Sequence, residues 1–94
     1  MAIKAARLID ILDMIDFMTT YNQVESIAVE KVSQALDMRY NEIFPYLNVL
    51  HHHGKIEWCD ETSQSKVKLS PEGYITLQHI QDVQSRRFAI ALNA

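Results

Sequence analysis

Arg39, Asn41 and Asn48 carry the side chains that pair bidentately with guanine and adenine edges, and they lie on or beside one stretch, NEIFPYLNVLHHHG, residues 41–54. Folded as a helix, that stretch puts Asn41, Phe44, Pro45, Asn48 and His52 on one side and Ile43, Tyr46, Leu47 and Leu50 on the other. Arg39 and Tyr40 lead into it. Lys66 and Lys68, with Lys31 upstream, are cations suited to phosphate oxygens. Duplex DNA is the partner that these residue types imply. Acids weaken the case, because Lys55, Lys66 and Lys68 are offset by Glu57, Asp60 and Glu61, and Glu42 lies inside the stretch itself. An ordinary solvated polar face is the competing reading.

Other chemistry finds less support. His51, His52 and His53 invite a metal ion, but successive helical residues project about 100° apart and cannot converge on one ion. Protonated, they suit the negative end of a helix. Cys59 is the sole cysteine, which excludes an internal disulfide or a CxxC pair. It is either a passive cysteine on an outer strand position or a thiol open to redox signals or intersubunit pairing. No nucleophile, base and acid can be grouped from the motifs, and no glycine-rich phosphate loop is present. Neither an enzyme nor a cofactor is expected.

The chain has 94 residues, 48% of them apolar, with two glycines and two prolines. That composition suits a single, mostly helical domain over residues 1–94. No run reaches the roughly 18 apolar residues of a membrane span. Asp10, Asp13 and Asp16 interrupt the apolar start, which a signal peptide does not tolerate. A soluble, cytoplasmic protein is expected. The formal charge of −3 gives the whole chain no attraction for nucleic acid, so any case for DNA must be local.

The elements follow from period and punctuation. Residues 2–19 form a first helix whose polar residues Lys4, Arg7, Asp10, Asp13 and Asp16 recur every third position, so the polar stripe turns by about 240° along it. TTYNQVES is a polar break, and Ile27 after it suits a short strand. VEKVSQALDM reads as a short helix with a turn at Asp37 and Met38. A helix over 40–53 ends at Gly54. KIEWC and KVKL then alternate, with Ile56, Trp58, Val67 and Leu69 inward, and DETSQS joins them as a hairpin. Ser70 caps a last helix running to about residue 92, with Pro71 in its first position and Glu72 near its positive end.

Helix, short strand, helix, helix, hairpin, helix is the order of a mainly α fold with a small β-hairpin wing, the winged helix-turn-helix. The motifs carry a resemblance further. EIFPYLNVLHHHGKIEW resembles the end of the recognition helix in PadR-type regulators, through Phe44-Pro45, Leu47, Leu50, Gly54 and Ile56. KLSPEG is similar to the end of the wing in PadR, MarR and ArsR relatives, through Leu69, Ser70, Glu72 and Gly73. The resemblance covers residues 27–77, and the Gly-Tyr element common near the N-terminus of PadR proteins is missing between residues 19 and 30. It implies a helix-turn-helix plus wing over 27–70, flanked by helices at 1–19 and 71–92.

Pro45 would then fall near the end of the reading helix that enters the major groove, or else merely tolerate an edge position. The first helix is apolar in more directions than one small core can cover. A homodimer is expected through Ile3, Leu8, Ile11, Leu12 and Ile15 with Leu77, Ile80, Phe88 and Leu92 of the last helix. The expected function is sequence-specific binding of double-stranded DNA by a homodimeric transcriptional regulator. The alternatives are a winged-helix module that binds protein and no DNA, and a partition or replication accessory.

Overall fold

Good helix formers with no breaker carry the chain through one long helix, α1 (Ala5–Asn22). The computed structural model describes residues 3–60 and 62–93, with side chains placed through Val83. α1 runs three residues past the expected end at residue 19, and the polar residues there bond back to the helix. Thr19 Oγ1 donates to Ile15 O at 2.8 Å and Asn22 Nδ2 to Met18 O at 2.8 Å. Gln23 closes the helix in the left-handed region, at φ 56°.

The chain continues through β1 (Ile27–Ala28), α2 (Val29–Ala35), α3 (Tyr40–His52), β2 (Ile56–Trp58), β3 (Lys66–Leu69) and α4 (Pro71–Asn93). Asp37, at φ 53°, makes the turn between α2 and α3, where Met38 N–H reaches Ser33 O at 2.9 Å. Ile27 does form a strand, and its pairing adds something the hairpin alone did not suggest. β1 lies antiparallel to β3, so the sheet has three strands in the order β1-β3-β2. Ile27 faces Val67, and across the hairpin Ile56 faces Leu69 and Trp58 faces Val67.

Alternation along these strands turns Ile27, Ile56, Val67 and Leu69 into the core and leaves Glu57, Lys66 and Lys68 on the other face. Ile11, Leu12 and Ile15 of α1 meet them from one side, with Val29 and Val32 of α2, Ile43 and Leu47 of α3, and Leu77 of α4 completing the cluster. Each such side chain contributes about 1.5–3 kcal/mol when removed from water. Ser70 does cap α4, its Oγ accepting the Gly73 N–H at 2.9 Å. The molecule is mainly helical with a small three-stranded antiparallel sheet. Among the described residues no helix is long and apolar enough to cross a membrane.

Candidate nucleic-acid interface

α3 buries Ile43, Tyr46, Leu47 and Leu50, and this fixes what it shows to solvent. Asn41, Asn48 and His52 project from the opposite side and are exposed. The two asparagines are seven positions apart, so they stand about 10.5 Å apart along the helix axis. Arg39 is the N-terminal flanking residue, extended at φ −71° and ψ 152°, and its carbonyl accepts Glu42 N–H at 2.9 Å and Ile43 N–H at 3.2 Å. Its guanidinium lies 3.6 Å from the Glu42 carboxylate while the side chain is 85% exposed. A pair that open holds Arg39 only weakly.

Pro45 lies inside α3, in its second turn. Having no N–H, it cannot donate to Asn41 O, so that carbonyl has no intrahelical donor four residues on. Tyr40 is the first helical residue, as expected, which places the proline past the first turn.

Phe44 does not belong to the outward face where the periodicity put it. It is half-buried, with its ring edge-on to Tyr40 at 4.8 Å and stacked on Trp58 at 5.9 Å and 20°. His51 extends the row, 6.3 Å from Trp58. Tyr40, Phe44 and His51 recur four and seven residues apart and therefore share the flank of α3 that faces β2. The indole opposite them draws the row together, and it fastens α3 to the sheet.

The lysines divide. Lys66 is exposed, whereas Lys68 is half-buried, stands directly across from Glu57 and reaches its carboxylate at 3.9 Å. Glu25 lines the same depression. Lys31 is exposed on α2. The hairpin tip is closed by Asp60, whose carboxylate accepts Ser63 Oγ–H at 2.8 Å, Ser63 N–H at 3.3 Å and Thr62 N–H at 3.1 Å. The Ser63 hydroxyl, and then the two backbone donors, hold this carboxyl below its usual range. Glu61 lies outside the described residues.

The expected dimer surface needs correction. Ile11, Leu12, Ile15 and Leu77 are between 0% and 3% exposed, because the chain's own sheet and helices cover them. They are core, not interface. Of that set, Ile3, Leu8 and Ile80 retain surface. Leu8 and Ile80 line an apolar groove between α1, α3 and α4, together with Ala5, Ile9, Val49 and Thr76. The side chains of Phe88 and Leu92 lie outside the described residues. What sequence reasoning missed is the pair Phe17 and Tyr21, exposed and stacked on α1. Their spacing of four residues was the available signal.

No protein-family model, curated protein or solved structure matches this chain.

Proposed function

We propose that this chain is a winged helix-turn-helix protein that binds double-stranded DNA, with α3 in the major groove, and that it regulates transcription in the cytoplasm. The observation that carries the reading is the outward face of α3. Asn41 and Asn48 are exposed on one side of a helix that its other side anchors rigidly in the core. Their separation of about 10.5 Å is close to three base-pair steps of about 3.4 Å, so both amides can address base edges from one docking. β2 and β3 would be the wing, and Lys66, Lys31 and Arg39 would meet phosphates.

A homodimer through the groove at Leu8 and Ile80 would present two such helices to successive half-sites. The competing reading is a protein-interaction module. The pairing of Lys68 with Glu57, beside Glu25, favours it, because it removes one of the few cations facing a phosphate.

A salt titration of binding to random and to genomic duplexes separates the two. Each neutralised phosphate contributes about 0.9 to the slope, so Lys31, Arg39 and Lys66 from two subunits give a slope no steeper than about −5. A subset of genomic fragments should bind far more tightly than random DNA. No binding of any duplex at low salt would hand the case to the interaction module.

A further inference from the structure

Phe17 and Tyr21 project from α1 on the side away from Ile15 and Thr19, and they are 60% and 76% exposed. Their rings stack with centroids 5.7 Å apart and planes within 14°. Asp13, Asp16 and Thr20 line one shallow depression with them. Neither ring belongs to the buried core or to the partly buried side chains packed against it. Among the described residues no cation stands within salt-bridge distance of Asp13 or Asp16. Asp13 Oδ1 accepts Gln81 Nε2–H at 3.3 Å and Asp16 Oδ1 lies 3.5 Å from Thr20 Oγ1, long exposed contacts that leave acceptor capacity on each carboxylate.

Aromatic faces flanked by carboxylates with spare acceptors are complementary to one group above others. A guanidinium stacks flat on a ring and offers its edge donors to a carboxylate, which an ammonium cannot do in the same plane. We infer that this face of α1 docks an arginine-bearing segment of a partner protein. The charge rules against other occupants. Phosphates of nucleic acid and the anionic surface of a membrane are repelled by Asp13 and Asp16. A second copy meeting this face through a two-fold axis would bring the same carboxylates together. The face belongs to α1, and none of the residues that line it comes from α3. The inference stands whether or not α3 binds DNA.

The test is a two-dimensional NMR titration of the full chain with a blocked Arg-Gly-Arg-Gly-Arg peptide, alongside its lysine and citrulline counterparts. Saturable shifts confined to Asp13, Asp16, Phe17, Thr20 and Tyr21 are expected, with the arginine peptide binding more tightly than the lysine one and citrulline not at all. Phe17→Ala should weaken binding by roughly two- to fivefold, and Tyr21→Ala should act alike. Both residues are exposed, so both variants should keep the native circular dichroism. The double variant Asp13→Asn, Asp16→Asn should weaken binding further and flatten its salt dependence. Shifts that fail to saturate, that fall equally on Glu25, Glu30 and Glu57, or that ignore Phe17→Ala would overturn the inference. So would concentration-dependent broadening of the Phe17 and Tyr21 signals without peptide, which would make the face a contact between copies.

Discussion

Gly73 faces the carbonyl of Lys55 so closely that a Cβ on it would lie 2.0 Å from that oxygen and 3.0 Å from its carbon. The approach is fixed from several directions. Ser70 N–H donates to the same Lys55 oxygen at 3.0 Å, Ser70 Oγ donates to Gly54 O, and the Gly73 N–H closes onto Ser70 Oγ at 2.9 Å. The first turn of α4 is thereby clamped to the connection between α3 and β2, so the glycine in SPEG serves packing rather than chain reversal.

Gly73→Ala should accordingly lower stability by about 2–3 kcal/mol, the upper range for a side chain with no room, because backbone must move to admit it. Gly54→Ala should cost less, about 1–2 kcal/mol. Its strain comes from φ +73°, while the nearest atom to an added Cβ is Glu72 Oε2 at 3.2 Å, the end of a flexible side chain. Urea unfolding of both variants checks the order. A milder effect at Gly73 than at Gly54 would contradict the clamp.

Leu12→Asp should unfold the chain rather than merely separate subunits. Leu12 is 3% exposed in the core, and an unpaired charge there costs on the order of 3–5 kcal/mol, comparable with the whole stability of a small domain. Leu8→Asp and Ile80→Asp are the proper probes of association, since both side chains keep surface in the groove. If copies of the chain pair through this groove, each should reduce dimer in sedimentation; Leu8 also packs against the core, so Leu8→Asp lowers the thermal transition as well and Ile80→Asp is the cleaner probe. An unaltered chain that sediments as a monomer at tens of micromolar would remove the dimer altogether.

The hairpin tip should open in acid. Because the folded Asp60 carboxyl is held below its ordinary value, chiefly by the Ser63 hydroxyl, its contribution is complete above the unfolded pKa of about 3.9 and is lost as pH falls through the lower folded value. Exchange of the Thr62 and Ser63 amides should accelerate across that window. Asp60→Asn should make their exchange insensitive to pH in the same window, apart from the intrinsic rate. A carboxyl titration of Asp60 at the ordinary value would refute the turn's electrostatics.

The element order was legible because period and punctuation agree. Ile56 and Val67 alternate with polar neighbours, Gly54 stops α3, and Ser70 with Pro71 starts α4 as capping rules require. The reading failed chiefly where a long-range interaction outweighed local pattern. One failure was local: the polar run TTYNQVES looked like a break, yet α1 continues through it to Asn22, with Thr19 and Asn22 bonding to carbonyls four residues earlier. Helical phase put Phe44 outward, but Trp58, distant in sequence, supplies the ring that draws it to the sheet. Ile11, Leu12 and Ile15 looked surplus because apolar residues surround α1. The sheet, α2 and α4 together absorb one of its sides, while Phe17 and Tyr21, on the other, stay in water.

If α3 reads DNA, its side chains should separate by mutation according to their setting. Asn41→Ala and Asn48→Ala should each cost about 1–3 kcal/mol at the preferred site and leave random DNA nearly unaffected, since a bidentate amide discriminates between bases. Lys66→Ala should weaken specific and random binding alike and reduce the salt slope by about 1 for each phosphate that is no longer neutralised. Lys68→Ala should do much less, because Glu57 at 3.9 Å already offsets that charge. Phe44→Ala should reduce stability rather than base discrimination, its ring being stacked on Trp58. Pro45→Ala restores a donor for Asn41 O and so should steady the start of α3; if DNA binding depends on that freed carbonyl, affinity falls while stability rises. Fluorescence anisotropy over a salt series, paired with thermal melts, measures every arm. Equal losses on specific and random duplexes for the asparagine variants would show that α3 does not read bases.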